Sequence, residues 1–259
     1  MENTVLVERD GNIATVILNR PEKLNALTKS MWRSLGDVFL GFEADDSLRC
    51  ILLRGAGEKA FAPGNDISEF DNERSSVAQA REYGKIMTRT IDAIGHCKHP
   101  LVAQIHGICV GGGLEIAGLA DIRICGESSR FGVPINRLGL VMGYAEIGAL
   151  IRLAGEAVTL EMLLEGRVFD AKEAKDKGLV TRVVPDDQVA AEAQGTAQRI
   201  ADGAPLVARW HKRFARRVRD PSPLTAADIE EGYACYGTED FRIGYRAFLD
   251  KVKPEFKGK

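Results

Sequence analysis

Short apolar runs rich in β-branched residues give the start of the chain a strand-like pattern. Positions 5–8 and 13–18 carry it, and the Asp10-Gly11 pair between them predicts a hairpin turn. Thr28 is placed to cap a helix running to about Phe42. "CILLRG" (50–55) is a short, almost wholly apolar strand that ends at glycine, and 77–95 reads as a helix. "PLVAQIHG" (100–107) is the next strand, a glycine run and a helix from about Gly112 follow, and "DIRICG" (121–126) is a third strand. Strand, loop and helix recur in that order, as parallel strands require.

From about Tyr144 the pattern is mainly helical, apart from "LVTRVVP" (179–185). Three helical segments close the chain, at 205–219, 224–236 and 239–252. The predicted fold class is α/β. A boundary near Ala204 divides a core over 1–203 from a helical region over 204–259.

Composition narrows the function classes. The 259 residues are 45% hydrophobic and 28% charged, with a net charge of −2. That balance fits a globular domain and gives no global pull toward nucleic acid. "MENTVLVERDGN" has neither the basic nor the apolar region of a signal peptide, and no apolar run is long enough to span a membrane. Cys50, Cys97, Cys109, Cys125 and Cys235 are odd in number and scattered, the pattern of reduced thiols in a cytoplasmic protein.

Two glycine loops carry the candidate chemistry. "EKAFAPGNDISEF" (58–70) and "GICVGGGLEIAGLAD" (107–121) each follow a buried strand and lead toward a helix. Glycine lets backbone approach a ligand and present its N–H groups. Two such loops side by side can aim two donors at one oxygen, an oxyanion hole. The alternative is that Gly111, Gly112 and Gly113 serve only tight helix–strand packing. A dinucleotide fingerprint is absent, because no GxGxxG occurs here.

These loops, with "LNRPEKLNAL" (18–27), "FGVPINRLGL" (131–140) and "AKEAKDKGLVTRVVP" (171–185), resemble the crotonase superfamily, of which enoyl-CoA hydratase is a member. The resemblance runs from about Val5 to the C-terminus. It implies a spiral of repeated ββα units with a C-terminal helical region, and an enzyme acting on acyl-CoA thioesters. CoA is then part of the substrate, and no separate cofactor or metal is implied. By motif, the thioester oxygen takes main-chain N–H bonds from Asn65 and Gly112. Pro63, Asp66, Ile67, Ser68 and Gly111 fall along the CoA and thioester path, Lys23, Leu24 and Ala26 match the other CoA wall, and Lys23 reads equally well as a surface lysine. Phe248 and Lys251 match positions that cover CoA from the closing helix. The resemblance also implies homotrimers, often paired into hexamers.

Glu115 matches one of the two catalytic glutamates of enoyl-CoA hydratase, and its apolar surroundings favour a raised pKa suited to general acid–base work. The second glutamate should follow the proline of "FGVPINRLGL", where Ile135 stands instead. "MGYAEIG" (142–148) replaces a glycine-rich stretch of relatives and supplies Tyr144 and Glu146 as candidate substitutes. Glu146 also reads as an ordinary first-turn acid. The reactions left open are hydration or isomerisation with Glu115 assisted by Tyr144 or Glu146, decarboxylation, thioester hydrolysis, and binding without turnover.

Other residues point to packing. Cys109 lacks a neighbouring histidine and reads as a core thiol, and His96, His99 and His106 show no metal-ligand spacing. "ARWHKRFARRVRD" (208–220) holds Arg209, Lys212, Arg213, Arg216, Arg217 and Arg219. Such a stripe raises an RNA-binding role, which at least one crotonase relative has. Trp210, Phe214 and Val218 recur at helical spacing, so a surface or interface helix is the favoured reading.

Overall fold

The computed structural model describes residues 4–259. Its strands are β1 (Val5–Asp10), β2 (Ile13–Leu18), β3 (Cys50–Gly55), β4 (Ala60–Ala62), β5 (Leu101–Ile105), β6 (Ile108–Val110), β7 (Ile122–Gly126), β8 (Arg130–Gly132), β9 (Val168–Asp170) and β10 (Arg182–Val184). Six of them form a sheet in the order β1-β2-β3-β5-β7-β10, and four form a second sheet in the order β4-β6-β8-β9. The larger sheet is parallel except for the β1–β2 hairpin. The smaller is parallel except where β9 runs against β8.

The helices are α1 (Lys29–Phe42), α2 (Phe70–Glu73), α3 (Val77–His96), α4 (Gly112–Gly118), α5 (Tyr144–Glu165), α6 (Ala171–Asp176), α7 (Val189–Ala201), α8 (Pro205–Arg217), α9 (Ala226–Glu231) and α10 (Glu239–Asp250). Thr28 caps α1 by accepting from the Met31 N–H. Alternation along the central strands sorts their side chains. Ile51, Leu53, Leu101 and Ala103 join the main core with Trp32, Leu35 and Phe39 of α1. Cys50, Leu52 and Val102 face the other way, onto Ala193, Ala197 and Ala201 of α7. A strand buried on both faces has to be apolar at every position, which is why "CILLRG" shows no polar alternation.

The second sheet departs from the sequence reading. Its strands are three residues each, too short to show a period. Positions 60–62 and 108–110 were expected as loop, 130–132 carried no expected element, and 168–170 fell in a region expected to be mainly helical. The expected helix 224–236 is interrupted as well: α9 is short, and Ala234–Gly237 is a 3-10 turn. No helix among the described residues is long and apolar enough to cross a membrane.

Candidate active site

Strands β4 and β6 pair in parallel, so the loops leaving their C-terminal ends emerge side by side. Gly64 lies at φ +110°, open to glycine alone without strain. A Cβ there would sit 3.2 Å from the Gly112 nitrogen. Gly113 is pressed against β4, with a Cβ position 2.1 Å from the Ala62 carbonyl oxygen. The glycine run is therefore needed for close packing and for loop apposition at once.

Asn65 is clamped on both sides. The Leu27 N–H donates to the Gly64 oxygen and the Asp66 N–H to the Leu27 oxygen, both at 2.8 Å. Between them, the Asn65 N–H has no acceptor among the described residues, and neither has the Gly112 N–H at the first position of α4. A helix start leaves such a donor free and adds the positive end of the helix dipole. The Asn65 side chain accepts from Trp32 Nε1 at 2.6 Å, and Trp32 is fully buried. Sequence reasoning missed Trp32, because no local pattern couples it to a residue thirty-three positions later.

Glu115 lies one helical turn beyond Gly112, is 5% exposed, and its Oε2 is buried with no hydrogen-bond partner. Burial pushes its pKa well above the usual carboxylate range, and the nearby Glu146 pushes the same way while Arg74 opposes. Glu146 is also raised, chiefly by burial, against the pull of the Gly143 N–H and Arg74. The Glu146 carboxylate accepts from the Gly143 N–H at 2.5 Å. It is thus a first-turn acid of α5 and a member of the site together.

A cavity of about 300 Å³ joins these groups. Pro63, Asn65, Ile67, Gly111, Gly112, Glu115, Ile135 and Glu146 all line it. Arg74, Phe70, Arg137 and Met142 line it too, and nothing in the sequence singled them out. Tyr144 does not line it. Its side chain is 96% exposed, because residues two apart on a helix face different ways and Glu146 takes the inward face. Tyr144 is accordingly corrected from a site candidate to a surface residue.

The expected CoA-wall residues lie outside the cavity lining. Lys23 is exposed on a 3-10 turn, and Leu24 (φ 53°) follows it. Arg20 ties this wall to the first glycine loop by donating to the Ala26 oxygen at 2.7 Å and to Asp66 Oδ2 at 2.9 Å. The Asp66 carboxylate also accepts from the hydroxyl of exposed Ser68. Phe248 is 83% exposed and Lys251 ends α10 in the left-handed region.

The basic helix faces inward with half its charges. Lys212 donates to the His99 carbonyl, Arg216 to those of His96 and Cys97, and Arg209 to that of Leu48. Arg213 pairs with Glu231 and Arg217 with Asp228. The first three cations fasten α8 to the core and the last two tie it to α9, so they are not a free phosphate-binding stripe. Cys109 is wholly buried, with its thiol pKa raised by burial. His99 Nε2 donates to the Phe42 carbonyl oxygen at 2.9 Å, and His106 is buried beside Gln104.

Two sheets, a helical C-terminal region and paired glycine loops over a carboxylate cavity define the class: a crotonase-fold enzyme. The family described as enoyl-CoA hydratase/isomerase matches residues 8–259, and the chain belongs to it. A probable enoyl-CoA hydratase of Rhizobium meliloti is 34% identical over 98% of both chains. The short-chain-enoyl-CoA hydratase of Clostridium acetobutylicum is 32% identical, covering 98% of this chain and 97% of that one. The crystal structure of an enoyl-CoA hydratase/carnithine racemase from Magnetospirillum magneticum superposes with a TM-score of 0.97 at 48% identity, covering 100% of this chain and 97% of that one.

Proposed function

We propose that the protein hydrates enoyl-CoA thioesters, with Glu115 and Glu146 as its acid–base pair. One observation carries this reading: two main-chain N–H groups without acceptors and two carboxylates of raised pKa meet in one cavity. The thioester oxygen accepts from Asn65 and Gly112, which stabilise the enolate-like charge by about 3 kcal/mol per donor.

Two carboxylates sharing an apolar cavity do not both ionise readily. Glu115, the more deeply buried, holds the shared proton. Glu146, steadied by the Gly143 N–H, takes the negative charge. Glu146 then removes a proton from water as its oxygen adds to Cβ, and Glu115 delivers its proton to Cα. Water is consumed and the pair exchanges its proton, so one more transfer resets the site. The position lost at Ile135 is supplied from the start of α5. All groups in this scheme belong to the chain or to the thioester, so it calls on no metal or redox cofactor.

Lys23, Leu24, Ala26, Asp66 and Ser68 form the proposed CoA wall. The exposed apolar face of α10, with Phe248 and Leu249 70% or more exposed, suits burial in a homotrimer that brings Phe248 and Lys251 over CoA. Crotonyl-CoA hydration, followed by loss of the conjugated-thioester absorbance and by mass gain of one water, is the test. Absence of hydration by the native chain, or undiminished hydration by Glu115→Gln, overturns the reading.

A further inference from the structure

We infer that Arg74 receives an anionic group at the far end of the acyl chain, so that the preferred thioesters carry a second carboxylate. This rests on the acyl-CoA reading above and narrows its substrate class. Arg74 follows α2 and lines the same cavity as Glu115. Its guanidinium carbon stands 4.8 Å from the Phe70 ring centroid and 4.9 Å from that of Tyr83. Two aromatic rings hold the group in place through its faces. Its side-chain N–H donors have no acceptor among the described residues.

Of the carboxylates near in sequence, Asp71 makes no ion pair with Arg74, and Glu69 and Glu73 are committed elsewhere. Glu69 accepts from the Lys29 N–H at 2.8 Å, and Glu73 pairs with Lys29 Nζ at 2.6 Å. Glu115 and Glu146 feel the Arg74 charge but make no ion pair with it, and Glu146 is turned to Gly143. The other cation of the lining, Arg137, donates to the Gly166 oxygen. Arg74 is therefore the fixed cation of a cavity whose apolar wall includes Val110, Ile135, Leu138 and Met142.

A hydrocarbon tail entering here would strip water from the guanidinium and return no hydrogen bond, which is unfavourable. A carboxylate would match the planar fork with two parallel bonds. The alternative is that Arg74 serves only as a distant counter-charge for the glutamate pair. That role acts on proton transfer and gives no preference among unreactive ligands.

Glutaryl-CoA and pentanoyl-CoA separate the two. Both acyl groups have five carbons and are saturated, so neither can be hydrated. By calorimetry, the native protein should bind glutaryl-CoA roughly ten- to a hundredfold more tightly, the worth of a charge-assisted bond. Arg74→Met should collapse that ratio to about one, and Arg74→Lys should keep only part of it, since lysine is a point charge without the fork. Equal or weaker binding of glutaryl-CoA by the native protein overturns the inference, as does a ratio preserved in Arg74→Met. Should the methionine variant not fold, the native ratio and the Arg74→Lys ratio decide. Failure of the native protein to bind either thioester overturns the acyl-CoA reading itself; binding both without preference overturns this inference alone.

Discussion

The indole N–H of Trp32 donates to the side-chain oxygen of Asn65 at 2.6 Å. That bond runs from the buried face of α1 to the loop that carries Asn65, which lines the cavity and whose main-chain N–H has no acceptor among the described residues. It sets the loop without using the N–H that would meet substrate. Trp32→Phe keeps an aromatic ring but removes the bond and part of the buried ring volume, so a cavity cost adds to the loss of the bond. It should lower kcat by on the order of tenfold through loop displacement, with a smaller change in KM, and cost about 1–3 kcal/mol for the unpaired amide. Steady-state kinetics and thermal unfolding on the same sample check both effects.

Glu115→Gln should act in opposite directions on activity and stability. Hydration should fall by roughly 10²–10⁴-fold with the loss of a proton donor. Folding raises the Glu115 pKa above its ordinary 4.5, so the folded chain binds this proton more tightly than the unfolded one. Stability from this group is fully present below about pH 4.5 and falls as pH rises toward the folded value. Each unit of raised pKa corresponds to about 1.4 kcal/mol. Glutamine never ionises, so the variant should melt higher than the native protein at pH 7 and lose that advantage near pH 4. Melting curves across this range check the sign.

Glu146→Gln tests the second half of the pair. It should reduce hydration by a comparable roughly 10²–10⁴-fold and abolish the acidic limb of the kcat profile, since the ionised base is gone. It should also lower the Glu115 pKa, because a like charge across the cavity is removed. An unaltered acidic limb would assign the base elsewhere.

Gly113→Ala places a methyl group 2.1 Å from the Ala62 carbonyl oxygen. Backbone cannot yield there without separating α4 from β4. A loss of about 3 kcal/mol or more is expected, read as a drop of roughly 2–4 °C in Tm for each kcal/mol. Hydration should fall further than stability, because the displaced helix carries both Gly112 and Glu115.

The face of α10 can be tested by size. Phe248→Glu puts charge into the patch that includes Leu249 and Val252. The native chain should elute as a multiple of three 28.2 kDa units, and the variant as smaller species.

The elements with a long period were legible in the sequence. The β1–β2 hairpin, Thr28 at the head of α1, β3, α3 and the start of α4 follow from apolar runs, turn residues, caps and glycine stops, and they appear where expected. The strands of the small sheet were not legible, because three residues carry no period. Two arginine-rich turns of α8 read as a charged stripe, yet Arg209, Lys212 and Arg216 bond core carbonyls. Sequence alone cannot tell a solvated cation from one that has found a buried oxygen.

Local chemistry determined the glycine loops, the buried acid at Glu115 and the gap at Ile135, since each is a matter of residue type at a fixed spacing. Only the tertiary structure decided what stands beside them. The sequence offered Tyr144 and Glu146 alike and only the fold chose Glu146, while Trp32 and Arg74 come from separate elements whose approach neither periodicity nor motif spacing encodes. It follows from how α1, α5 and the segment after α2 pack around one cavity, where distance in space and not in sequence sets hydrogen bonds and charge.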